Sequence, residues 1–202
     1  MTGVPLPPLP GLPGAAGSEN RPGGRGLLEV LTTEHRSLLG LCERYAGARL
    51  AGDAALVGVL ASVLAAATSR HLSAEEQYLY PTVRAVLDDG AALADAEIAA
   101  DATIQHTLRA SGADLDAVQP LLRGHVDRCA GTLFPELRAA LDEAELVRLG
   151  NRVVIAGEAA PTRPHPGTPF RPPWNKLVEP AVGVLDKVRD AATRRTTYVE
   201  DL

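Results

Sequence analysis

Apolar side chains recur along most of this chain at steps of three and four residues, and polar groups of a few chemically suggestive kinds interrupt the same stripes. Leu27, Leu28, Leu31, His35, Leu38, Leu39 and Cys42 mark one such face and predict a first helix that ends near Gly52. Asp53 is suited to capping a second helix. Its stripe runs through Leu56, Leu60, Val63, Leu64, Ala67, His71 and Glu75 until Pro81 and the Asp88-Asp89-Gly90 turn. A third helix is expected over about Ala91 to Ser111, with Ile98, Asp101, Ile104 and Leu108 on one side. A fourth follows Asp114 and carries Val118, Leu121, Leu122, His125, Cys129 and Leu133. Four amphipathic helices on short connections predict an all-α fold, an antiparallel four-helix up-down bundle with additional C-terminal helices.

The flanks read differently. Pro5, Pro7, Pro8, Pro10, Pro13 and Pro22 deny the backbone helical continuity, so residues 1–25 are expected to be a disordered Pro/Gly-rich leader. Residues 26–158 hold the bundle and a short fifth helix over about Glu143 to Glu158. Residues 159–202 hold a Pro-rich tether, Pro161 to Gly167, and a last helix from Trp174 to Arg194. Leu177, Val184, Leu185 and Val188 are its expected docking residues, with Trp174 as an anchor. The leader and this last helix are the places where a protein partner is expected.

Composition narrows the function. Aromatic residues are 3% of the chain, so the core must be aliphatic packing between helices. A net charge of -5 with no basic face excludes a general electrostatic grip on nucleic acid. No segment is expected to be long and apolar enough to cross a membrane. Two cysteines, Cys42 and Cys129, do not make a disulfide framework, which points to a reducing cytoplasm.

The stripes also carry a repeat. His71-x3-Glu75-x3-Leu79-Tyr80-Pro81 recurs as His125-x3-Cys129-x3-Leu133-Phe134-Pro135. A His and a Glu four apart project from one helical face, so His71 and Glu75 can reach a single cation inside a bundle. A buried carboxylate demands such compensation. His35 completes a two-histidine, one-carboxylate set, the ligand type of non-heme Fe(II) with open positions.

His35, the His71-x3-Glu75 pair with Glu76 and the Leu79-Tyr80-Pro81 ending, and His125 with Leu133-Phe134-Pro135 together resemble the hemerythrin-like HHE cation-binding domain over about Leu27 to Leu149. The resemblance implies a four-helix bundle holding two irons bridged by carboxylates, in proteins that bind or sense oxygen, handle nitric oxide or peroxide, or act on iron. This chain departs from that pattern twice. Cys129 stands where the second His-x3-Glu would place a carboxylate, and Asp101 stands where helix C would supply a histidine. His106, five residues on, lies about 140° around the helix and toward solvent.

Asp101 reads either as an oxygen ligand or as an inward carboxylate bonded to His125 or to water that orients a ligand. Cys129 reads as a thiolate ligand, a core filler or a redox group, and Cys42 as core. Tyr78 and Tyr80 lie near Glu75 in sequence; Tyr78, three residues on, is the one spaced to face the site, and it reads as core packing. His165 lies among prolines and suits a surface role. The candidate metal ligands are therefore His35, His71, Glu75, His125, Asp101 and Cys129, for non-heme iron that is mononuclear or dinuclear. The expected partner is oxygen or another small diatomic or peroxide ligand. Two further readings stand beside this one: an oxygen-activating iron enzyme with a substrate cavity beside Asp101 and Cys129, and a metal-free scaffold in which the buried charges pair among themselves.

Overall fold

The computed structural model describes residues 23–111, 115–163, 182–187, 189–190, 193 and 195–199. Asp114, His165, Trp174, Leu177 and Val188 lie outside them. The all-α expectation holds: among the described residues there is helix and no strand.

Helix α1 spans Leu27–Ala51 and stops where Gly52 takes the left-handed conformation, φ 71°. Helix α2 starts at Ala54 because the Asp53 carboxylate accepts from the Leu56 amide at 2.9 Å. It does not stop at Pro81. Ala54–Ala74 passes into a five-residue π-turn, Glu75–Leu79, and on into Tyr80–Val86, one rod of 33 residues. Helix α3 spans Gly90–Ser111. Helix α4 repeats the construction of α2, with Val118–Arg128, a π-turn at Cys129–Leu133, then Phe134–Ala140. A capping box formed by Asp142 and Glu145 opens α5, Glu143–Ala159.

The two π-turns have one cause. Pro81 and Pro135 have no N–H to give an α-helical carbonyl partner, and their rings crowd the preceding turn. Widening that turn instead lets the Tyr80 amide reach the Glu75 carbonyl and the Phe134 amide reach the Cys129 carbonyl, five residues back in each copy.

Helices α1, α2, α3 and α4 pack in sequence and α4 returns to α1, closing a four-helix ring with α5 laid over α1 and α2. Gly150 of α5 lets the chain ahead of α1 come close, since a Cβ there would stand 2.2 Å from the Arg25 carbonyl oxygen. Two apolar cores fill the ring. One gathers Leu27, Leu31, Leu79, Val83, Leu133 and Leu137, and the other Leu38, Leu60, Leu64, Ile104, Leu108 and Leu122. His35, His71, Asp101 and His125 fall in the register between them.

Two expectations are corrected. The apolar window of α2 has a mean hydropathy of 1.5 and the rod is long enough to cross a membrane by length and composition, although half of that window is buried within the bundle. Val184 and Leu185, docking candidates toward either this bundle or a partner, are 62% and 70% exposed and so do not seat the helix on its own bundle. The C-terminal segment is seated on polar groups instead. The Thr162 and Arg163 amides each donate to Asp186 at 3.1 Å, and Thr162 is fully buried against Asp190.

Candidate metal centre

In the layer between the two cores, α1, α2 and α4 each deliver an imidazole to one point. The Nε2 atom of His125 lies 3.3 Å from that of His71 and 3.2 Å from that of His35. The Glu75 carboxylate faces all three, with Oε1 3.3 Å from His71 Nε2 and 3.6 Å from His35 Nε2, and Oε2 3.3 Å from His125 Nε2. All four residues are buried, and Glu75 and His125 completely so. The spacing of four places His71 and Glu75 on one face, while the registers of α1 and α4 bring in the two other rings.

The outer nitrogens are held by carboxylates. His71 Nδ1 is 2.8 Å from Glu34 Oε2, and His125 Nδ1 is 3.2 Å from Asp101 Oδ1. A proton on each Nδ1 leaves the two Nε2 lone pairs pointing at one another and at an anion. Glu75 Oε1 makes no well-aligned hydrogen bond, and the groups that face it are the His71 and His35 Nε2 atoms. With neutral rings, lone pairs converging on a carboxylate are repulsive in an apolar interior, and either protons on His71 and His125 or a divalent cation relieves that repulsion. The donor set fits such an ion, since ligand atoms from all four residues lie within 4.8 Å of one another.

Charge follows the same geometry. Burial alone would raise the Glu75 pKa, but His71 and then His125 and His35 outweigh it and hold the carboxyl well below its usual range. Burial works against protonation of His71 and His125 as well. Glu75 and Glu34 overcome it at His71, and Glu75 and Asp101 at His125, so both imidazoles are raised above their usual values. His35 has less carboxylate support, and burial brings it down to about 4.

Asp101 is placed on the outer side of this cluster, against His125 Nδ1 and the Tyr80 hydroxyl. Burial raises its pKa, with His125 and Tyr80 opposing. It also belongs to a second group, since ligand atoms of Glu97, Asp101 and His125 lie within 4.8 Å of one another. Glu97 Oε1 there accepts from Arg128 Nε at 2.8 Å and Glu97 Oε2 has no hydrogen-bond partner, while Asp101 Oδ1 faces His125 Nδ1 as an ion-pair contact. The two groups share His125, and a neutral imidazole has one lone pair to give.

Cys129 lies 3.9 Å from His125 Nε2 and is fully buried, which pushes its thiol up to about 12. Cys42 is a free, buried thiol in the core away from the cluster, and His106 is exposed, both as expected.

Three contributors escape a helical reading of the sequence. Tyr80 stands five residues past Glu75, which on an α-helix would turn it about 140° away. The π-turn brings it back, and its hydroxyl, with one proton to share, lies against Asp101 Oδ2 and 3.1 Å from Glu75 Oε2. Phe134, its counterpart, stacks on His35 with ring centroids 5.6 Å apart and an interplanar angle of 4°. The proline after each aromatic residue was the available signal. Glu34 had none, because a surface-spaced glutamate beside His35 does not announce that it crosses to His71. Tyr78, which was expected to face the site if either tyrosine did, is half-buried in the apolar packing instead.

Comparison with known proteins adds one finding. The family model described as the Hemerythrin HHE cation binding domain matches residues 26–144. No curated protein and no solved structure matches the chain.

Proposed function

Because this chain belongs to the hemerythrin HHE cation-binding family, we propose that it is a non-heme iron protein that binds or senses oxygen or a related small ligand at one cation held by His35, His71, Glu75 and His125. The observation that carries the reading is the convergence of three imidazole Nε2 atoms on a fully buried carboxylate whose Oε1 has no other partner. Iron bound there supplies open coordination positions for a small ligand. Glu34 and Asp101 keep the His71 and His125 rings turned inward, and Tyr80 holds Glu75 against them.

A single cation is favoured over two because Asp101 and Cys129 replace groups a symmetric pair requires, and because His125 directs Nε2 to the first group while its other nitrogen meets Asp101. Of the alternatives, the metal-free scaffold would need protons on His71 and His125 to pair with Glu75, and membership of a cation-binding family favours a cation in their place. The oxygen-activating enzyme receives less support than ligand binding, since no residue pattern here specifies an organic substrate. The two free, buried thiols accord with a cytoplasmic setting.

Elemental analysis of protein purified anaerobically, with His71→Ala alongside, tests the proposal. About one iron per chain, lost in a folded variant, is expected. Two would transfer Glu97 and Asp101 to a second cation. None would overturn the iron reading.

A further inference from the structure

Glu75, Asp101 and His125 are fully buried, yet one edge of the cluster approaches the surface. Glu34, which holds His71 Nδ1, has a side chain 36% exposed. It shares with His71, Ala67 and Arg70 the lining of a cavity of about 330 Å³ between α1, α2 and α5.

The remaining wall comes from far along the sequence. Tyr198 and Val199 line the same cavity. The fastenings of residues 195–199 are mostly polar: Arg70 Nη2 donates to the Thr197 carbonyl at 3.0 Å, the Arg70 guanidinium lies 4.5 Å from the centre of the Tyr198 ring, Arg195 donates through Nη2 to the Ser62 carbonyl and through Nη1 to the Thr162 carbonyl, each at 3.1 Å, and its amide donates to the Asp190 carbonyl at 2.9 Å. Arg195 Nη1 also meets Asp190 at 3.2 Å, on the segment where Gly183 presses against α5 so closely that a Cβ would stand 2.2 Å from the Ala159 carbonyl oxygen. Val199 alone among the wall residues of this segment adds apolar packing against the core. A segment held by hydrogen bonds, a cation–π contact and an ion pair opens locally at far lower cost than a bundle helix held by its buried stripe.

We propose that this cavity is the approach by which a small ligand reaches the cation cluster, and that residues 195–199 are its movable wall; the inference rests on the cation-site reading above. The ligand class follows from the lining. Arg25 and Arg70 are matched by Glu34 and Glu158, so the cavity presents no field of one sign. That balance suits a neutral or singly charged molecule, such as a diatomic gas, peroxide or azide, rather than a polyanion.

Two measurements on the full chain test the proposal. In the first, Ala67→Cys is alkylated with iodoacetamide, with the native Cys42 and Cys129, 1% and 0% exposed, as slow internal controls. Adding Arg195→Ala, or independently Tyr198→Ala should the first disturb the Asp190 contacts, is expected to speed labelling about tenfold, and added salt to speed the parent in the same direction. Unchanged labelling in both backgrounds would overturn the movable wall. In the second, azide association with the iron-loaded chain is followed by its absorbance. Arg195→Ala is expected to raise the rate and Ala67→Leu, which fills the cavity, to lower it about tenfold at unchanged iron content. Equal rates in all three proteins would overturn the approach route. A wild-type chain that holds no iron would overturn the cation reading instead, and the alkylation rates would still decide the wall.

Discussion

The His71–Pro81 and His125–Pro135 segments share their spacing and their backbone, an α-helix that widens into a π-turn at the fifth position and resumes at an aromatic residue followed by proline. What they deliver to the interior is different. The first supplies an anion, Glu75, and a hydroxyl, Tyr80, which touch each other and the histidines. The second supplies a neutral thiol, Cys129, and a hydrocarbon ring, Phe134, which stacks on His35. One backbone device thus positions two side chains per segment, and the identity of those side chains decides whether the segment binds charge or packs. The binding capacity of the bundle is accordingly lopsided.

The most damaging way to break this contrast is to remove the charge from the first segment. Glu75→Leu leaves three imidazoles facing one another without their carboxylate, and cation affinity is expected to fall by more than about 100-fold, beyond the usual loss for an outer-sphere partner. Metal content after dialysis checks it.

The contrast is erased from the other side by Cys129→Glu. A carboxylate there faces His125 and gives Glu97 and Asp101 a second bridging neighbour, so metal content is expected to rise toward about two per chain. The metal-free variant should melt several degrees lower, roughly, because an uncompensated buried carboxylate has been added. Calorimetry with and without chelator separates the two effects, and unchanged stoichiometry would show that the second segment lost more than its carboxylate.

Exchange of the aromatic residues gives smaller effects. Tyr80→Phe strands acceptors on Glu75 and Asp101, costing about 1–3 kcal/mol of stability and weakening the cation by about 10-fold. Phe134→Leu loses only the stack on His35, about 0.5–1.5 kcal/mol, with metal content retained. Denaturant titration and metal competition distinguish them, and equal effects on metal affinity would contradict the assignment of Tyr80 to Glu75.

The smallest expected effect is the pH dependence of the metal-free chain. The raised pKa values of His71 and His125 contribute stability that is complete below their ordinary value of 6.5 and is lost as pH rises through the raised values. The depressed Glu75 contributes stability present above 4.5 and lost as pH falls. His35, brought down from 6.5 to about 4, withdraws stability as pH falls below 6.5. The melting temperature of the metal-free protein should therefore peak near 6.5 and fall on both sides, whereas a bound cation, which competes with protons for the same nitrogens, moves the peak upward.

What was legible beforehand follows from periodicity. The stripes of α1 to α4 are helical because a buried face must recur every three to four residues, and His35, His71, Glu75 and His125 were legible as one group because they sit in those stripes. Val184 and Leu185 misled because a lone amphipathic pattern does not say which face is covered, and the tail is seated by Asp186 and Asp190 instead. The apolar length of α2 was likewise underestimated, since its rod was expected to be interrupted at Pro81.

The sequence by itself thus determined the helices, the repeat, and which residue types could meet in the interior, because these depend on chemistry and spacing along one chain. Tertiary structure alone decided two things: that Glu34 and Asp101 hold the outer nitrogens of histidines on other helices, and that residues 195–199 wall the cavity at His71. Each depends on the register of one helix against another or on a contact between residues far apart in the chain, and a one-dimensional pattern carries neither.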